Sequence, residues 1–92
     1  MEFVEVVVDG AISVDRDDVE DALSEALDGI GEVTGAGTSG VRSNLDLEVD
    51  PDADRKETLD KIFGALVSLG LDDAVRVRPG DGLDWIRPSQ WV

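Results

Sequence analysis

Residues 43–50 read Ser-Asn-Leu-Asp-Leu-Glu-Val-Asp, and their alternation decides the fold. In an extended chain Leu45, Leu47 and Val49 fall on one face, and Asn44, Asp46, Glu48 and Asp50 fall on the other. That pattern predicts a strand with one buried and one wet face, as in an antiparallel sheet. Pro51 ends the strand, because proline donates no ladder hydrogen bond. Asp54 then offers a carboxylate to cap a helix, with Glu57 three residues on in the manner of a capping box. Leu59, Ile62, Phe63, Leu66 and Leu69 follow at helical spacing, and Gly70 closes the stripe.

The same reading extends in both directions. Residues 3–8, Phe-Val-Glu-Val-Val-Val, are β-branched and bounded by Asp9-Gly10, which predicts a strand with Val4, Val6 and Val8 on one face. Asp15 is the expected cap of a first helix. Asp17, Asp18 and Glu20 occupy its first turn, Val19, Ala22, Leu23, Ala26, Leu27 and Ile30 form its apolar stripe, and Gly29 is a natural stop. Residues 32–36 are compatible with a second strand, and Gly37–Gly40 has the composition of a hairpin turn. Downstream, 73–78 is expected as a last strand, alternating Val75 and Val77 with Arg76 and Arg78. A turn is expected from Pro79 to Gly82. Residues 1–78 thus read as one α+β domain and 79–92 as a C-terminal tail carrying Trp85 and Trp91.

The element order β-α-β-β-α-β over residues 3–78 resembles the ferredoxin-like arrangement. That resemblance implies a four-stranded antiparallel sheet with two helices on one face, and right-handed crossovers would put the first and third strands in its centre. It implies a fold and carries no function with it.

Composition removes several chemistries. The 92 residues contain no cysteine and no histidine. Disulfides, thiolate metal sites, imidazole bases and imidazole pH switches are therefore excluded. Twenty-two acids stand against eight bases, a net charge of −14. Such a field repels phosphate backbones and anionic bilayers and attracts cationic partners, so neither nucleic acid nor a membrane is expected as partner. The N-terminal residues lack the basic region and apolar run of a secretion signal, so a cytoplasmic protein is expected. Acidity of this kind also suits a salt-loving or GC-rich source, where dense carboxylates keep a protein soluble.

Three segments imitate functional motifs. Gly35-Ala36-Gly37-Thr38-Ser39-Gly40 matches G-x-G-x-x-G, but phosphate binding needs a helix to begin there and the next segment alternates like a strand. A glycine-rich hairpin is the expected role. Asp50-Pro51-Asp52-Ala53-Asp54 begins like a calcium loop, yet Arg55 and Lys61 stand where Gly and Glu are needed. Asp15, Asp17, Asp18 and Asp21 offer only non-specific binding of divalent cations. No pair of carboxylates is singled out for acid–base work, and no serine has a histidine to activate it. No catalytic residue, metal ligand or cofactor is expected, and the chain is read as a non-enzyme.

The remaining signals point to binding. If the helices cover the face of Val4, Val6, Leu45, Leu47, Val75 and Val77, the open face carries Phe3, Glu5, Val7, Asn44, Asp46, Glu48, Arg76 and Arg78. Phe3 alone is too few aromatics for a base-stacking sheet, which excludes RNA recognition by this face. In size, in the acidic first helix (Asp15, Asp17, Asp18, Glu20, Asp21, Glu25) and in the acidic strand (Asp46, Glu48, Asp50), the chain is similar to small acidic bacterial immunity proteins. That similarity implies a non-enzymatic inhibitor covering a basic, nuclease-like toxin, with Glu5, Asp46, Glu48, Asp50, Arg76, Arg78, Trp85 and Trp91 as candidate contacts. Trp85 and Trp91 also suit packing on the domain or on a second subunit. Two other readings stay open: a ligand-sensing, homo-oligomeric regulatory domain, and a stand-alone acidic protein of a halophile.

Overall fold

The computed structural model describes residues 3–9, 16–39, 42–71, 74–80 and 84–91. Its elements run β1 (Phe3–Val8), α1 (Arg16–Ala26), β2 (Gly31–Ser39), β3 (Arg42–Val49), α2 (Arg55–Ser68), β4 (Val75–Pro79) and α3 (Pro88–Trp91). The four strands form one antiparallel sheet in the order β2-β3-β1-β4, so β1 and β3 are central.

Period-2 patterning sets the register. Val4, Val6 and Val8 lie opposite Leu47, Leu45 and Ser43 on one side, and Val6 and Val8 lie opposite Val77 and Val75 on the other. A slip of one residue would turn every one of these side chains to the opposite face. The valines and leucines among them join Val19, Leu23 and Leu27 of α1 and its turn, and Leu59, Ile62, Phe63 and Leu66 of α2, in one core. Each fully buried Val, Leu or Ile contributes about 1.5–3 kcal/mol relative to an exposed side chain.

Helix ends follow local chemistry. The Asp54 carboxylate accepts a hydrogen bond from the Glu57 backbone N–H at 2.9 Å, satisfying one orphan donor of α2. Gly29 and Gly70 leave their helices at φ +84° and +76°, a backbone region that a Cβ disfavours. Asp15, the expected cap of α1, lies outside the described residues.

Four expectations need correction. β2 runs from Gly31 to Ser39 rather than 32–36, and Gly37–Ser39 belong to the ladder rather than to a turn. Glycine and serine content signals a turn, but pairing along the whole of β3 supplies hydrogen bonds that hold these residues extended. Gly40 lies outside the described residues. β4 covers 75–79, and Pro79 is its last residue, opposite Val4, where a missing N–H costs least. Residues 81–83 of the expected turn and tail, and 72 and 73 before β4, lie outside the described residues. Lastly, residues 88–91 form a short helix that hydrophobic periodicity could not reveal in so few residues.

The tail lies against the domain. Val77 and Ile86 exchange backbone hydrogen bonds of 2.9 and 2.8 Å, which adds a single bridge to the outer edge of β4. Ile86 packs on the core, and α3 lays Trp91 against Phe63 with ring centroids 5.3 Å apart. Among the described residues no helix is long and apolar enough to cross a membrane.

Candidate functional site

The sheet face away from the core is divided by charge. Its rows follow from the registers: Gly35, Asp46, Glu5 and Arg78 form one, and Gly37, Asn44, Val7 and Arg76 the next. Toward the other end of β3, Glu32 stands opposite Glu48, which stands opposite Phe3.

The β1–β4 half is basic and paired. Arg78 Nη2 donates to Glu5 Oε1 at 2.8 Å. Asp9 follows Glu5 and Val7 at strand spacing, and its carboxylate gathers three guanidinium groups: Arg76 Nε at 3.0 Å, Arg42 Nε at 3.4 Å and Arg87 Nη2 at 3.7 Å. Trp85 lies beside the same cluster, with the Arg76 and Arg78 guanidinium carbons 4.5 and 5.6 Å from its ring centroid. Cation–π contacts of this kind contribute about 0.5–1 kcal/mol where partly exposed. Val7, in the row of Arg76, is only 5% exposed although it points away from the core. The stems of long basic side chains cover apolar surface in this way.

The β2–β3 half is acidic, with Glu32, Asp46 and Glu48 on it and Asp50 at its end. On the opposite side of the sheet, α1 and its turn add Asp17, Asp18, Glu20, Asp21, Glu25 and Asp28, and residues 17–41 contain no base. Asp46, Glu48, Asp50, Asp52 and Asp54 are five acids in residues 43–54, again with no base. Glu32, Glu48 and Asp50 line an open recess of about 530 Å³ with Gly31 and Pro51. Among the described residues no three acids converge closely enough to hold a metal ion. The charge is spread over a surface.

Of the residues expected to bind a partner, Glu5, Asp46, Arg76, Arg78 and Trp85 share this face, with Glu48 and Asp50 at its acidic end. Trp91 of α3 stands apart, packed against α2, where its indole N–H donates to Asp60 Oδ1 at 2.7 Å. That bond, and then the one from Lys56, hold the Asp60 carboxyl below the ordinary aspartate value. Reading the sequence missed Asp9, Arg42, Arg87 and Glu32. Asp9 had a signal, since it continues the spacing of Glu5 and Val7. Arg42 and Arg87 become neighbours only through the tertiary fold, and Glu32 faces Glu48 only in the register that β2 adopts.

No protein-family model, no curated protein and no solved structure matches the chain.

Proposed function

We propose that the chain is a non-enzymatic protein-binding module of ferredoxin-like β-α-β-β-α-β arrangement, whose acidic half seats on a basic protein as an immunity-type inhibitor would, in the cytoplasm. The strand order β2-β3-β1-β4 supports the arrangement. One observation carries the functional reading: Glu32 and Glu48 face each other across the ladder, next to Asp50, while the arginines of the sheet face are drawn to Asp9 and Glu5 on the other half. Like charges directly opposite destabilise a sheet, by a few tenths to about 1 kcal/mol per pair. A cationic partner would turn that repulsion into attraction and would be steered by it from a distance.

The test is affinity capture on the immobilised chain with washes of rising salt, compared with a Glu32→Gln/Glu48→Gln variant. A basic protein retained by the parent at low salt, released at high salt and lost by the variant is the expected result. Equal retention by both would exclude the Glu32–Glu48 surface as the contact. Recovery of the chain alone would move the assignment to a self-associating domain.

A further inference from the structure

The two edges of the sheet are treated differently. The outer edge of β4 is met by the tail at its middle residue, through the paired hydrogen bonds of Val77 and Ile86. β2, the other edge, pairs only with β3 among the described residues. It is nine residues long and has no proline, lysine or arginine, the residues that usually blunt an edge. Every residue of β2 with a described accessibility, Gly31 to Gly37, is half-buried or exposed. The register shift between Val33 and Gly35 twists the first part of the strand, which leaves Gly35–Ser39 as the regular stretch.

Glycine also shapes what this edge presents. Gly35 and Gly37 face Asp46 and Asn44 on the open side of the sheet. With no side chains there, the Asp46 and Asn44 side chains lean over the edge strand: a Cβ on Gly35 would sit 3.2 Å from Asp46 Oδ2, and one on Gly37 3.1 Å from Asn44 Oδ1. A strand added outside β2 would lie about 4.8 Å away, so a lysine or arginine opposite Gly35 could span to the Asp46 carboxylate.

We infer that Gly35–Ser39 of β2 is a docking edge for an extended, lysine- or arginine-bearing segment of the basic partner, added as a further antiparallel or parallel strand. The inference rests on the proposed acidic-module function and names how that partner is held. Charge selects the occupant. A second copy would bring its own seven acids of residues 17–41 against this one's and is repelled, whereas a cationic strand meets Glu32 and Asp46.

The probe is a short capped peptide alternating lysine and threonine, with a copy N-methylated on alternate residues so that it keeps its charge but cannot complete a ladder. Titrations by NMR at low salt read affinity and the exchange rates of the Ala36 and Thr38 amides, which the ladder register turns away from β3. The expected result is binding by the first peptide, slowed exchange within residues 35–39, and at least about tenfold weaker binding by the methylated copy. Asp46→Asn should weaken the first peptide several-fold without lowering the melting temperature. Equal binding by both peptides, with no slowing at 35–39, would overturn the edge docking and leave the acidic-surface reading standing. Failure of both peptides to bind at low salt would overturn both. Slowed exchange at 35–39 in the chain alone, accompanied by dimerisation, would assign the edge to a second copy and overturn the inference.

Discussion

Glu32→Gln and Glu32→Lys should stabilise the fold while weakening its binding. Glu32 lies directly opposite Glu48 on the open sheet face, and both are exposed. Side chains so placed have Cβ atoms about 4.5–5.5 Å apart. Two unit charges at roughly 5 Å in water repel by about 0.8 kcal/mol, and flexible carboxylates relieve part of that by splaying apart. Removing one charge should therefore return about 0.5 kcal/mol, and reversing it up to about 1 kcal/mol. For a domain of this size 1 kcal/mol shifts the melting temperature by about 4–8 °C, so Glu32→Gln should gain about 2–4 °C and Glu32→Lys somewhat more.

Salt separates this cause from any other. Near 1 M the Debye length falls to about 3 Å, shorter than the separation of the pair, and the gain should largely vanish. The assay is thermal unfolding by circular dichroism for the parent and both variants at about 10 mM and 1 M salt. A gain that persists undiminished at high salt, or no gain at low salt, would refute the claim that the two carboxylates repel across the ladder. A parent that unfolds when salt is withdrawn altogether would point instead to a halophilic protein whose whole surface needs screening.

The other predictions follow from local chemistry. Thr58 is buried in α2 and its hydroxyl has no hydrogen-bond partner among the described residues; Thr58→Val keeps the shape and removes an unsatisfied group, so stability in urea should rise by up to about 1 kcal/mol. Asp54→Ala removes the cap of α2 and should cost about 0.5–2 kcal/mol in the same assay. Leu47→Ala empties a fully buried central-strand position and should cost about 2–5 kcal/mol in urea unfolding, with loss of most native structure at modest denaturant. Asp60 has its carboxyl held low by the Trp91 indole N–H and by Lys56, so the charged form favours the docked tail above the ordinary value of 3.8. That contribution is lost as pH falls through the lower folded value. Trp91 fluorescence in a Trp85→Phe background should report undocking there, and Asp60→Asn should flatten the transition.

What could be read from the sequence depended on whether the signal was local. The strand with Leu45, Leu47 and Val49, the cap at Asp54 and the glycine stops at Gly29 and Gly70 each rest on neighbours within a few residues, and each occurs where the pattern puts it. β2 did not read well because its residues are poor strand formers; its extension to Ser39 comes from β3, which offers a full ladder to pair with. The open face was legible in part. Alternation put Glu5, Asp46 and Arg78 on one side, but the convergence of Arg42, Arg76 and Arg87 on Asp9 joins four segments distant in sequence. Periodicity carries no information about such meetings.

The placement of the arginines bears on which half of the face is available to a partner. Arg76 and Arg78 are committed to Asp9 and Glu5 at hydrogen-bonding distance and lie beside Trp85, so recruiting them to an external anion would mean breaking those contacts. It would also mean bringing an anion into the field of a chain with net charge −14. Engaging the acidic half demands neither. Glu32 and Glu48 already repel, and each cation that approaches relieves that repulsion as it binds. Arg76 is thus expected to be a structural tie: Arg76→Met should loosen the tail, seen as faster amide exchange at Ile86, without changing the salt-sensitive affinity for a cationic peptide. Loss of that affinity with the tail still protected would show that the basic half takes part in recognition.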